Sequence, residues 1–210
     1  MSLLSILKKK HVLVYFIGYL IFYLLASWMD LATTSLGLTR PGVSEKNVLT
    51  IGAEGYSPER AWLLTAIGAI ILAACVLEAF RNSWRVREHW LQHPIRSFGH
   101  FYINPWSEVA IGFTPIHLLT FAIAFPIFRI FAAMNNLAIY WYDIAPIGGL
   151  MGIVASKTSP LMGFSLVGFS FFALIVIAAA PFAARMIVAL RQEADKGHLN
   201  IDTCKSLTKR

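Results

Sequence analysis

Asp30 opens the first stretch of this chain in which side chains suited to chemistry gather. From Asp30 to Asn47 the residues read DLATTSLGLTRPGVSEKN. They offer two carboxylates, Asp30 and Glu45, the hydroxyls of Thr33 and Thr34, and the amide of Asn47. Hard cations and polar head groups are held by oxygen ligands of this kind. An acid at the edge of an apolar run costs free energy unless it is paired, which makes function a fair default. The plainer reading has Asp30 capping a helix or pairing with Arg40. Pro41-Gly42 and Glu45-x-Asn47 then merely shape a loop, and residue types alone favour that reading.

Two further sets of residues bear on chemistry. Arg129 and His117 lie twelve apart in an apolar run, so a helix sets them broadly on one side at different depths. Arg129 is expected near Asp30 or Asp143, as a structural ion pair or, more sharply, as part of a proton or anion path. His89 and His93 are four apart and share a helical face, with Glu88 and His100 nearby. They are weak metal candidates, because HExxH is absent and no third ligand has a diagnostic position. An interfacial helix with its histidines toward water is the plainer account. No GxSxG, Walker A, GxGxxG or CxxCH pattern occurs, and Ser165 and Ser170 lack an evident base. The sequence therefore leans away from an enzyme, and no cofactor or metal is expected.

The elements that must position these residues are membrane spans. Of 210 residues, 57% are hydrophobic and 14% charged. Soluble domains carry about a quarter charged residues. The mean hydropathy is +0.63. The apolar residues come in blocks long enough to cross a bilayer rather than in amphipathic stripes. Four spans are expected, at about 11–29, 61–80, 109–134 and 163–190, followed by a tail at 191–210. The first reads as a retained signal anchor, with Tyr15, Tyr19, Tyr23 and Trp28 as aromatic anchors. Ser57-Pro58-Glu59 reads as N-cap, first helical residue and dipole-complementing acid of the second. With no Gly or Pro between Ala69 and His93, that helix is expected to continue through RNSWRVREHWLQH. The stretch 137–155 is apolar enough for a fifth span, but Asp143, Pro146 and Gly148-Gly149 interrupt it. It is expected to be a re-entrant or interfacial segment on the outer side. A faint Trp-x-Asp-aliphatic-Ala echo links Trp28–Ala32 to Trp141–Ala145.

Lysines and arginines set the expected orientation. They crowd the N-terminus (Lys8, Lys9, Lys10), the connection after the second span (Arg81, Arg85, Arg87, Arg96) and the C-terminal region. Both termini are thus expected in the cytoplasm. The net charge of +7 sits at helix ends, where anionic lipid accounts for it, so nucleic acid is not an expected partner. Cys75 and Cys204 form no disulfide framework.

The fold class is thus an all-α polytopic membrane bundle, with about four spans and a broken outer segment. The Asp30, Thr33 or Thr34, Gly42, Glu45 and Asn47 pattern resembles a family of small bacterial membrane proteins defined only as a domain of unknown function. The resemblance covers roughly residues 12–80, and Val48 stands where that family often has Pro. It implies a small protein of the bacterial inner membrane and carries no established activity. Three functions stay open. The first is a non-enzymatic accessory subunit that meets the bilayer and a membrane-protein partner or a second copy. Its small-residue face on span four comprises Gly163, Gly168, Ala173 and Ala178–Ala180. The second is a small transporter or lipid-handling protein with an outer polar site of Asp30, Thr33, Thr34, Glu45, Asn47, Arg129 and Asp143. The third is a membrane enzyme acting on a lipid-linked substrate.

Overall fold

A computed structural model of the chain describes residues 10–43, 50–52, 55–96 and 108–207. Four long helices dominate it: α1 (Lys10–Gly37), α2 (Pro58–Arg81), α4 (Glu108–Tyr142) and α6 (Pro160–Leu207). Short α3 (Glu88–Gln92) follows α2, and α5 (Pro146–Lys157) separates α4 from α6. Between α1 and α2, β1 (Ile51–Gly52) pairs antiparallel with β2 (Gly55–Tyr56). Val12–Gly37, Pro58–Arg81, Pro115–Tyr142 and Ser165–Glu193 are long and apolar enough to cross a membrane. The protein is an all-helical, four-span membrane protein with a broken segment before its last span. Large apolar side chains face outward on every long helix, among them Leu25, Ile70, Met134 and Phe169. Ile70 is 72% exposed and Phe169 70%, a surface that hydrocarbon must cover.

Helix boundaries depart from the sequence expectations in four places. Helix α1 runs two turns past Asp30, because its polar end satisfies itself. The Thr33 hydroxyl donates to the Met29 carbonyl at 2.8 Å and that of Ser35 to Leu31 at 3.1 Å. Helix α2 stops at Arg81 instead of running on to His93. The Asn82 amide donates to the Glu78 carbonyl and the Ser83 hydroxyl to that of Phe80, so local side-chain bonds compete with the helix. Helix α4 continues past 134 to Tyr142, then ends at Asp143, whose φ of 55° is left-handed. Helix α5 has 12 residues. At about 1.5 Å each it is about 18 Å long, too short to cross a hydrocarbon core of about 30 Å. Residues 191–207, read as a tail, continue α6 as helix. The Asp30 and Asp143 segments also differ in backbone, helical against left-handed, so their sequence echo has no structural counterpart.

The chain forms two compact units. One contains α1 through Gly18, α2 from Ala73 with the connection after it, α4 through Ala122 and α6 from Ile177. Its core includes Val76, Ala79, Ile116, Leu119, Ala183 and Ile187. Arg191 donates to the carbonyls of Ser83, which opens a single 3-10 turn (Ser83–Arg85) after α2, and of Val86, which follows that turn. The other unit contains residues 19–72 and 123–176. Phe125 and Phe128 of α4 meet Phe172 of α6 edge-on at 5.1 and 5.6 Å, and Phe131 meets Phe171 at 5.4 Å. Such ring pairs each contribute roughly 0.5–1.5 kcal/mol beyond the area they bury. Tyr19 and Tyr23 of α1, expected as interfacial anchors, are buried here, at 7% and 1% exposure, beside Ala26 and Ser27. Their spacing of four residues keeps both on the inward face, whereas Trp28 is exposed.

Candidate functional site

The polar site lies wholly within the second unit and is built from α1, α2 and α4. Arg129 of α4 donates from Nη1 to Asp30 Oδ2 of α1 at 3.4 Å and from Nη2 to Thr65 Oγ1 of α2 at 3.2 Å. Its guanidinium carbon stands 5.8 Å from the centre of the Tyr23 ring. Thr65 can receive that bond because its own hydroxyl proton goes to the Ala61 carbonyl at 2.9 Å. Tyr23 in turn donates to the Thr65 carbonyl at 3.0 Å. Gly68, one turn on from Thr65, leaves room for this phenol: a Cβ there would lie 2.7 Å from the Tyr23 oxygen. The side chains of Arg129 and Asp30 are 17% and 19% exposed.

A second layer of polar contacts joins α1, α4 and α5. Asn136 Nδ2 donates to Thr34 Oγ1 at 2.9 Å. Asn135 Oδ1 accepts from the Ile147 amide at 3.1 Å. Ala145, at the start of α5, has no capping side chain, so Asn135 supplies the cap from α4. Arg40 donates to the Tyr140 carbonyl, at 2.6 Å from Nε, and lies over the Tyr140 ring. It thereby caps the C-terminal turn of α4, where a cation also complements the helix dipole. Gly163 brings α6 against α5, since a Cβ there would lie 2.5 Å from the Met151 carbonyl oxygen.

These contacts border a cavity of about 480 Å³. Its polar wall includes Asp30, Thr34, Arg129, Asn135, Asn136 and Asp143. Leu31, Leu64, Phe128, Ile139, Met151 and Phe171 supply much of the apolar wall. That volume and that mixture fall in the range of small-molecule sites.

The predicted residues divide as follows. Asp30, Thr34, Arg129 and Asp143 all line the cavity. Asp30 pairs with Arg129 rather than with Arg40, and it lies inside α1 rather than capping it. Thr33 bonds back to its own helix, at the carbonyls of Met29 and Asp30. Glu45 and Asn47 lie outside the described residues. His117 belongs to the first unit, where its ring meets Phe121 at 4.6 Å, so the cavity does not gather it with Arg129 and Asp143. The His89 and His93 rings touch edge-on at 5.3 Å. Among the described residues no group of three His, Cys, Asp or Glu is placed to hold a metal, and His100 lies outside them.

Four participants escaped the sequence reading: Tyr23, Thr65, Asn135 and Asn136. The asparagine pair carries a signal, two amides inside what proves to be one continuous helix, hidden by ending that span at Met134. Thr65 has none, because a lone Thr in an apolar run usually bonds only to its own helix. No protein-family model, no curated protein and no solved structure matches this chain.

Proposed function

We propose that this protein is a small transporter or lipid-handling protein whose working part is the cavity around Asp30 and Arg129. The observation that carries the reading is an ion pair set in the wall of a 480 Å³ cavity, between helices that span the membrane. Apolar side chains of the same volume could join those helices at no loss of stability, so a pair kept for stability alone has no evident advantage. Ionisable groups within spans that face a cavity are the usual mark of a solute path.

The accessory-subunit reading draws on the small residues of α6, and much of that face is already occupied. Gly163 and Gly168 face Met151 of α5, and Ala179 and Ala180 are buried. The binding reading is therefore the one adopted. Its test is a thermal-unfolding screen of the purified chain against short-chain amphiphiles and small polar metabolites. A ligand present at 100 times its Kd adds about 2.7 kcal/mol of stability. Leu64→Trp, which fills the cavity, should abolish the gain. A panel without a stabilising compound, or stabilisation that survives Leu64→Trp, overturns the reading.

We further place both termini in the cytoplasm of a bacterial inner membrane. The clustered Lys and Arg of the flanks support the orientation. On this placement the cavity lies toward the outer face. Reporter fusions after Lys46 and Arg210 should read outside and inside respectively, and any other result reverses the placement.

A further inference from the structure

Resting on the cavity as a binding site, we infer that its ligand is an organic monocation with an apolar tail, such as an alkylammonium compound. The argument is one of charge and of hydrogen-bonding sense. Among the described residues of the wall, Asp30 and Asp143 are anionic and Arg129 is the cation. Arg129 is already committed to Asp30, to the Thr65 hydroxyl and to the Tyr23 ring. Asp30 neutralises it, which leaves Asp143, an exposed residue, as the remaining charged group of the described wall.

An anion entering the cavity would compete with Asp30 for Arg129 and would meet two carboxylates. A cation meets one carboxylate uncompensated and needs no contact broken. The two wall amides favour neither charge, since Asn136 spends an N–H on Thr34 and Asn135 spends its carbonyl on the Ile147 amide. The rings of Phe128 and Phe171 also line the cavity, and an aromatic ring is a better neighbour for a cation than for an anion. The apolar remainder of the wall fits a hydrocarbon tail and gives an inorganic ion nothing.

Asp143 also allows a clean test. Its φ of 55° is left-handed. Asn adopts that conformation about as readily as Asp, so Asp143→Asn removes the charge and keeps the turn. The full chain is placed in phosphatidylcholine nanodiscs, with empty nanodiscs as the blank. Binding of n-octyltrimethylammonium, octyl sulfate and octanol is measured by equilibrium dialysis, below the micelle concentrations of the two ionic compounds and the aqueous solubility of octanol. The expected result is saturable binding of the ammonium compound at least tenfold tighter than the other two. Asp143→Asn should weaken it about tenfold, and Leu64→Trp should abolish it. If octyl sulfate or octanol binds as tightly, or Asp143→Asn changes nothing, the cationic class is wrong. Provided binding is still lost in Leu64→Trp, the cavity then remains a binding site. If none of the three binds above the blank, the inference falls, and the thermal-unfolding screen alone decides the binding reading.

Discussion

Replacing Asp30 with Asn deletes one charge and keeps the shape of the side chain. At 3.4 Å and an effective dielectric of about 20, the gross attraction to Arg129 is about 5 kcal/mol. Desolvation of the two groups offsets most of it. Removing one partner is a different matter, because Arg129 stays 17% exposed with its charge uncompensated. Such a loss typically costs about 3–5 kcal/mol. Thr65 and the Tyr23 ring still hold the guanidinium, and a cation–π contact contributes about 0.5–2 kcal/mol. Asp30→Asn is therefore expected to cost about 2–3 kcal/mol. Arg129→Met strands the Asp30 carboxylate and should cost a similar amount. The double variant strands neither charge, so its cost should fall short of the sum by about 1–3 kcal/mol. Reversible unfolding by SDS in mixed micelles measures all three against the parent. Additivity within about 0.5 kcal/mol would refute the coupling and, with it, the picture of one charge existing for the other.

Three further expectations follow from close contacts. Gly163→Ala drives a Cβ to 2.5 Å from the Met151 carbonyl oxygen, which is backbone and yields little. It should cost about 1–3 kcal/mol in the same unfolding assay, and no loss at all would mean that α5 does not seat there. Gly68→Ala collides with the Tyr23 hydroxyl at 2.7 Å, so its cost should shrink by about 1 kcal/mol in a Tyr23→Phe background. An equal cost in both backgrounds would place the strain elsewhere. Arg191→Ala removes the side chain that ties the Ser83 and Val86 carbonyls to α6, and amide exchange in α3 should quicken about tenfold. Arg191→Lys should not restore it, since an ammonium lacks the planar fork that reaches both oxygens. Full protection in the Lys variant would contradict that geometry.

Much of the architecture was open to inspection in the linear chain. Runs such as 61–80 announce a span because every backbone polar group in hydrocarbon must bond within its own segment, and that condition is local. The start of α2 was equally plain. The Arg60 amide meets the Ser57 hydroxyl at 3.3 Å, and Pro58 opens the helix as its type predicts. Helix ends were harder. Leaving α1 at Met29 and ending span three at Met134 treated polar residues as exits from the membrane. Thr33, Ser35 and Asn136 show that such residues stay helical when a carbonyl or a facing hydroxyl receives them.

The residues alone determined the medium, the number of spans and the presence of charges that hydrocarbon would not tolerate singly. Tertiary structure alone decided which charge meets which. Asp30 could have paired with Arg40 ten residues on, and instead it meets Arg129, 99 residues away. Choosing between them depends on how α1, α2 and α4 are rotated about their axes. Those rotations follow from contacts among side chains far apart in the chain, such as Tyr23 lying against Gly68 and Asn136 against Thr34. Hydropathy along one helix carries no information about its neighbours, because lipid and protein interior are about equally apolar.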